Sequence, residues 1–390
     1  MSVNAMTFED ASAILNNIRQ QVTGEASIAP VNTAEFVSVG TTLLQSGYDP
    51  VLNAITQMVT KTIFSIRPYS RKFGGIMVDS EMWGSIVRKL AVADKPFEKN
   101  AEFDLVDGRS IDHYKVNKPD VLELKFYGAE DFAKSYTIFK DQLNNAFTGV
   151  AEFSRFMAMV VQNVSDMIEQ NFESIARMII ANYVGGKKVA NNGVIHLLTE
   201  YNTETGANPP LTPTTVYAPA NFSDFMKWVY ARIATLTSLM TERSTEFQIN
   251  VTGKPITRHT PFEYQKVYLY AKLLNDMNAR VLADTYHYDF IEYADVEAVN
   301  YWQSIESPMS IDVTPNYLDA DGTIKTGEEQ NITNLVGVIF DREALGYTVM
   351  NEWSATTPLN ASGGYWNTFY HFLMKWWVDY SEKGIILLLD

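Results

Sequence analysis

Cysteine is absent from this 390-residue chain, which excludes disulfides and thiolate metal sites together. A reducing assembly environment is compatible with that absence. Positive charge is scarce: 31 Lys and Arg stand against 46 Asp and Glu, a formal net charge of −15. A general nucleic-acid binder takes its affinity from cations that neutralise phosphates, so this balance argues against that class. No apolar run approaches the ~18 residues of a membrane-spanning helix. The opening MSVNAMTFED also lacks the basic region and apolar core of a signal peptide. The expectation is a chain that neither spans a membrane nor is exported by a visible signal.

Readable catalytic boxes are missing too. There is no phosphate-wrapping glycine box, because Gly185-Gly186-Lys187-Lys188 lacks the spacing; it reads as a helix stop with a solvated basic pair. No Gly-x-Ser-x-Gly nucleophile elbow occurs. The five histidines, His113, His196, His259, His287 and His371, show no metal-ligand spacing, and the His287/Asp289 pair is too weak a signal for a ligand set. Asn221, Asn331 and Asn360 stand in glycosylation-like triplets that carry no weight without a signal peptide.

One string does look catalytic. Asp319-Ala320-Asp321-Gly322-Thr323 resembles the Asp-x-Asp-Gly-Thr box of haloacid-dehalogenase-like phosphatases, whose first Asp is a nucleophile beside a magnesium ion. That chemistry needs the first Asp at the tip of a buried apolar strand. Here TPNYL precedes it, and few residues remain after it, so an Asp-Gly turn in a polar loop explains the string better. A calcium loop is excluded by the missing later ligands. A magnesium-dependent phosphohydrolase using residues 319–323 is the rival reading. No catalytic, cofactor-binding or metal residue is assigned, and no cofactor.

What is present is the material of a folded protein: 46% hydrophobic and 13% aromatic residues, with 14 Pro. The length implies two or three structural units, and the aromatic content permits a large core or extensive interfaces. The end of the chain, NTFYHFLMKWWVDYSEKGIILLLD, is its most aromatic segment. Termini usually fray, because ordering them costs entropy that no burial returns. This one is built for burial, as two strands joined near residues 381–384, with 385–389 fully inside.

Earlier elements follow from periodicity and punctuation. Thr7 and Asp10 form a capping pattern ahead of Ala11, Ile14, Leu15, Ile18 and Val22 on one helix face, with Gly24 as stop. Residues 25–36 lack periodicity and read as a linker or extended arm, which docks the first helix at a distance. A second helix spans 48–64, with Asp49 as N-cap, Pro50 at the first position, Leu52, Ile55, Val59 and Ile63 on one face, and Arg67-Pro68 closing it. Residues 100–128 alternate around an Asp107-Gly108 turn and a Lys118-Pro119-Asp120 turn, a strand-containing loop or hairpin too poor in apolar residues to pack alone.

The strongest element runs from 150 to 183. Phe153, Met157, Val160, Val164, Met167, Ile168, Phe172, Ile175 and Ile179 keep helical spacing, and Gly185-Gly186 end the run. About 34 residues make a helix of roughly 50 Å, a backbone for the fold. Asn171 and uneven spacing weaken the coiled-coil alternative. A Pro-rich loop over 208–222 leads to a helix carrying Phe225, Val229, Ile233, Leu236 and Met240 on one side. Residues 245–305 mix strands with a helix, 306–334 are polar and turn-rich, and strands return at 335–340 and dominate the end. The class is α+β, without βαβ rhythm or internal repeat.

Two blocks resemble the major capsid proteins of tailed bacteriophages, especially those of small short-tailed phages of Gram-positive bacteria. The first is TAEFVSVGTTLLQSGYDPVLNAITQMVTKTIFSIRPYSRKF, residues 33–73, read as an extended segment leading into a helix. The second comprises IFDREALGYTVM (339–350), TPLNASGGYWNTFYHF (357–372) and DYSEKGIILL (379–388). Together they cover about a quarter of the chain, and their order is specific.

The resemblance implies the capsid fold shared by tailed phages and herpesviruses. Its expected parts are an N-terminal arm (1–50), a second helix with an extended loop (51–135), and a peripheral domain on a long spine helix (136–189). An axial domain (190–334) and a return into the peripheral sheet (335–390) complete it. The implied function is a structural protein that self-assembles into pentamers and hexamers of an icosahedral or elongated head shell; a non-shell virion component is the other alternative. The arm begins near residue 1, so a separately encoded scaffolding protein is expected, with a portal at one vertex, and head fibre or decoration proteins are possible further partners. Packaged DNA is contacted only non-specifically, and no membrane partner is implied. The expected location is the virion, assembled in the bacterial host cytoplasm.

Overall fold

The computed structural model describes residues 8–24, 30, 32–65, 73–78, 86–92, 121–252, 256–281 and 295–390, with isolated positions between 107 and 118. Three helices open it: α1 (Phe8–Thr23), α2 (Thr33–Ser46) and α3 (Tyr48–Ser65). The apolar face of α1 is as expected, with Ala11, Leu15 and Ile18 fully buried. Its docking is not at a distance: those residues share one core with Phe36, Val51, Leu52 and Ile55. The capping residue Thr7 lies outside the described residues.

The expected extended arm over 25–36 gives way to a helix from Thr33. Asn32 caps it, accepting a hydrogen bond at 2.9 Å from the Glu35 backbone N–H, and the Asn32 side-chain amide donates to the Glu35 carboxylate at 3.2 Å. This is a capping exchange followed by the buried helical face Phe36, Gly40 and Leu43. The α3 helix starts at Tyr48, which leaves Asp49 inside its first turn. Asp49 accepts a hydrogen bond from the Trp366 indole N–H at 2.6 Å, so its role is a link across the fold. Val59, Ile63 and the Arg67-Pro68 stop lie outside the described side chains.

Two strands, β1 (Ile86–Val92) and β2 (Val121–Tyr127), pair antiparallel in a two-stranded sheet. The hairpin therefore begins before residue 100, where the expectation had placed its start. Asp107 and Gly108 form a turn, with Gly108 at φ +80°. Pro119 and Asp120 lie outside the described residues. Then come β3 (Glu130–Phe139), α4 (Lys140–Ala146) and α5 (Val150–Val189).

At 40 residues α5 is longer than periodicity suggested, about 60 Å. Gly185 and Gly186 do not end it. A Cβ on Gly186 would lie 2.2 Å from the Tyr380 hydroxyl, and one on Gly185 2.7 Å from Val313. At these glycines the helix meets its neighbours too closely for a side chain. Nor is the basic pair solvated throughout: Lys187 is fully buried and Lys188 half-buried.

Next follow β4 (Val194–His196), α6 (Leu197–Thr205) and α7 (Pro219–Thr241), which buries Phe225, Val229, Ile233, Leu236 and Met240 as its spacing predicts. Within the region expected to mix strands with a helix stand β5 (Gln265–Tyr270) and α8 (Ala271–Val281). The β-branched and aromatic Lys266-Val267-Tyr268-Leu269-Tyr270 run favours a strand wherever a sheet receives it. After β6 (Asp295–Val299), the polar region holds β7 (Ile311–Val313), β8 (Asn316–Leu318), β9 (Ile324–Thr326) and β10 (Gln330–Ile332). The chain closes with β11 (Leu335–Asp341), β12 (Leu345–Thr356), β13 (Tyr365–Val378) and β14 (Gly384–Leu388).

Two larger sheets organise these elements. One has five strands in the order β4-β14-β11-β5-β6; the other has three, β12-β13-β3. The last two strands thus enter different sheets, and residues 335–390 do not return into a single one. The sequences explain the partition. In β13 buried and half-exposed residues alternate over most of its length, the pattern of a sheet with one covered face.

Every residue of β14 is buried. Ile386 and Leu388 join the core shared with α5, while Ile385, Leu387 and Leu389 join a second core with α6, α7 and α8. An aliphatic run with no polar alternation is what a strand covered on both faces requires.

Candidate interaction surface

The Asp319–Thr323 string closes a small hairpin between β8 and β9. The Gly322 N–H donates to the Asp319 carbonyl at 2.9 Å, and the Asp319 N–H to the Thr323 carbonyl at 2.9 Å. The Asp321 carboxylate accepts from the Thr323 N–H at 2.8 Å, and Lys325 pairs with both carboxylates. Hydrogen bonding from Lys325 holds the Asp319 carboxyl below its usual range, and that from Thr323 does the same for Asp321. Asp321 is exposed and Asp319 half-buried, at a turn rather than at the tip of a buried strand. Among the described residues no group of three or more His, Cys, Asp or Glu is placed to hold a metal ion.

The histidines are dispersed. His196 Nδ1 lies 2.6 Å from the Asp390 carboxylate, and His371 Nδ1 lies 2.8 Å from that of Asp131. His371 also stacks on Trp353 with ring centroids 3.8 Å apart. His113 and His287, with Asp289, fall outside the described residues. No helix of the described residues is long and apolar enough to cross a membrane.

What stands out instead is surface. In the β1–β2 hairpin, Val92 faces Val121 and Leu90 faces Glu123 across the ladder. Strand alternation puts Leu90, Val92 and Val121 on one face, and they are 57%, 57% and 44% exposed. The opposite face carries Lys89, Ala91, Leu122, Leu124 and Phe126, of which Leu122 is buried. A two-stranded ribbon is marginal alone, so this one depends on what it rests against. Beneath it lies a cleft of about 830 Å³ between residues 123–126 and a wall formed by Met178 and Asn182 of α5, Ile324, and Trp376 and Trp377 of β13. Residues 123–126 were legible as part of a hairpin; Lys89 was not singled out, because its role depends on partners about 290 residues later.

Those partners are two carboxylates of the turn between β13 and β14 and one, Glu343, of the turn between β11 and β12. Lys89 Nζ lies 3.0 Å from Asp379, 3.3 Å from Glu343 and in close contact with Glu382, while Arg258 reaches Glu382 at 3.3 Å. Burial pushes the Glu382 carboxyl up despite the two cations. Burial works against the Lys89 charge as well, but Asp379 and Glu382 outweigh it and raise its pKa. Lys89 and Glu382 thus both hold a proton more tightly than usual, Glu382 through burial and Lys89 through its acidic partners.

Buried lysine recurs on the other side of the turn. Lys187 Nζ donates to the Phe247 carbonyl at 2.6 Å and to Asn192 at 3.1 Å, and burial lowers its pKa to about 7. The Gly384 N–H donates to the same Phe247 carbonyl at 2.8 Å. The end of α5, the 247 loop and the start of β14 are thereby fixed to one another.

The family model described as Phi29-like phage major capsid protein matches residues 12–379. Among solved structures, the fold is similar to the capsid structure of Staphylococcus phage Andhra, with a TM-score of 0.52 at 12% identity, covering 82% of this chain and 84% of that one. A structure of the head fibre and inner core protein of native bacteriophage P68 gives a TM-score of 0.52 at 11% identity, covering 82% of this chain and 85% of that one. No curated protein gives a significant match. At such identities the structural likeness is one of fold, and the fold is that of tailed-phage capsid proteins.

Proposed function

We propose, for a chain that belongs to the Phi29-like phage major capsid protein family and is a shell-forming structural protein of the phage head, a division of the subunit into the working parts the family resemblance implies. The protein is a component of the virion and associates with copies of itself. Residues 1–50 are the arm, here helical; 51–135 carry the extended loop, whose described strands are β1 and β2. Residues 136–189 centre on α5 as the spine of the peripheral domain. Residues 190–334 form the axial domain, and the final segment serves both units, β12 and β13 beside the spine and β11 and β14 in the five-stranded sheet.

The observation that carries this reading is the apolar face of the hairpin, Leu90, Val92 and Val121, exposed on a ribbon too small to cover it. In a closed shell such a face is buried against the next copy, and many repeated contacts sum to a stable particle. We read the copies as pentamers and hexamers, assembled in the host cytoplasm with a separate scaffolding protein and joined by a portal at one vertex. Head fibre or decoration proteins are further possible partners. The net charge of −15 supports only non-specific contact with packaged DNA. No catalytic role is proposed, because the Asp319 turn lacks the buried strand tip that phosphoryl chemistry requires.

Electron microscopy of the expressed chain, alone and with a candidate scaffolding protein, tests the reading. Closed shells, rings or hexameric sheets are the expected outcome. Protein that stays monomeric under both conditions overturns it, and turnover of a phosphate ester abolished by Asp319→Asn would favour the enzyme instead.

A further inference from the structure

We propose that Asn192, followed by Gly193, is a self-modification site: its side-chain amide is converted to a carboxylate within the folded chain, with Lys187 promoting the step and then pairing with the product. The inference concerns the single chain and does not depend on which neighbours it meets in a shell.

The pair closes the loop between α5 and β4, and both residues are half-buried, so water reaches them. Asn192 is the only asparagine of the sequence that precedes a glycine. A glycine in that place leaves its backbone nitrogen open to approach, because no side chain shields it. The fold itself requires this glycine: its φ is +68°, and an added Cβ would lie 2.3 Å from the Gly384 carbonyl oxygen. The Gly193 carbonyl accepts from the Ile386 N–H at 2.7 Å, which holds the residue against β14. Its own N–H has no hydrogen-bond partner among the described residues, so the nitrogen beside the Asn192 amide is left uncommitted.

Lys187 supplies the other half of the arrangement. Fully buried, its Nζ donates to Asn192 Oδ1 at 3.1 Å and to the Phe247 carbonyl at 2.6 Å. A donor on Oδ1 polarises the amide and stabilises the oxyanion that forms when its carbon is attacked. The loop is also tied back to the helix, since the Asn192 N–H donates to the Lys187 carbonyl at 3.1 Å. Both acceptors of the Lys187 amine are neutral, and Asp379 acts on it only through its field. The buried amine therefore lacks a countercharge in contact with it, and position 192 is where one would fit.

The chemistry needs no reagent but water. The Gly193 nitrogen attacks the Asn192 side-chain carbonyl carbon and gives up its proton; a carbon–nitrogen bond forms, the bond to the amide nitrogen breaks, and ammonia leaves with that proton. Water then opens the cyclic imide at one of its two carbonyls, leaving an aspartate or an isoaspartate at position 192. In both products an amide is lost and a carboxylate gained. The aspartate places an anionic oxygen where Lys187 already donates, turning a neutral contact into a charge-assisted one at the junction of α5, β4 and β14.

Peptide mass spectrometry of the full-length chain, incubated at neutral pH, reads the conversion from the mass gained by the fragment that carries residue 192. The expected rate is about threefold or more above that of a synthetic peptide of residues 186–196, and Lys187→Met should lower it about tenfold in the folded chain while leaving the peptide unchanged. Far-ultraviolet circular dichroism checks that Lys187→Met keeps its fold. Asn192→Asp supplies the product directly, and it should raise the urea midpoint more in the parent chain than in Lys187→Met. A folded chain that converts no faster than the peptide overturns the proposal whatever the variants do. So does a folded Lys187→Met chain that converts at the parent rate, and equal midpoint shifts in the two backgrounds would remove the ion pair.

Discussion

The strand β14 and the hairpin β1–β2 are built from similar aliphatic residues and meet opposite fates. In β14 all five residues are buried, between α5 on one side and α6 to α8 on the other. In the hairpin Leu90, Val92 and Val121 stand half in solvent, and Lys89 supplies the charged anchor to the 379–382 turn. The difference is one of completion. The five-stranded sheet covers β14 on both faces within its own chain, whereas the hairpin leaves an apolar face exposed, which we propose is covered by another copy. A shell subunit needs both: a body that folds alone and a surface that does not rest until it assembles.

Removing residues 385–390 should break the complete side outright. Five buried aliphatic side chains are worth about 8–15 kcal/mol, comparable with the whole stability of a typical domain. Loss of soluble protein on expression is the expected outcome, read by fractionation before any assembly assay.

A smaller break comes from Gly186→Ala. In an exposed helix this change stabilises by about 1 kcal/mol, yet here the added methyl meets the Tyr380 ring. A loss of about 1–3 kcal/mol is expected from overpacking, measured by urea denaturation.

Lys187 sharpens the same side through pH. Its folded pKa of about 7 lies below the ordinary 10.5, so between those values the unfolded chain holds a proton that the folded chain does not. Stability should therefore rise with pH across that window, by at most about 1.4 kcal/mol per pH unit, and the full cost of charging the buried amine is present below it. Lys187→Met should flatten that slope in denaturation curves taken from neutral to alkaline pH.

The hairpin should respond in the reverse manner. Leu90→Ser with Val92→Ser is expected to change subunit stability by no more than about 0.5 kcal/mol per site, since these side chains bury little within the chain. The same variant should lose shells in sedimentation analysis.

How much of this was legible varied with the reach of the interactions involved. The faces of α1, α5 and α7 followed from spacing alone, because a helix repeats its environment every turn. The burial of residues 385–389 followed from an unbroken aliphatic run. The sheet they enter did not, because pairing with β11 and β4 is fixed by distant partners. Gly185 and Gly186 read as a stop because glycine ends many helices; only the approach of Val313 and Tyr380 reveals their packing role. The helix α2 was missed although Asn32 and Glu35 carried its start. Lys89 and Lys187 look like ordinary surface lysines in sequence, and only their carboxylate and carbonyl partners distinguish them.

The most direct measurement of the difference between the two regions is hydrogen exchange on the full-length chain, before and after assembly into shells. Residues 384–388 should be equally protected in both states, while 86–92 and 121–127 should gain strong protection on assembly. A hairpin whose exchange is unchanged by assembly would contradict the account.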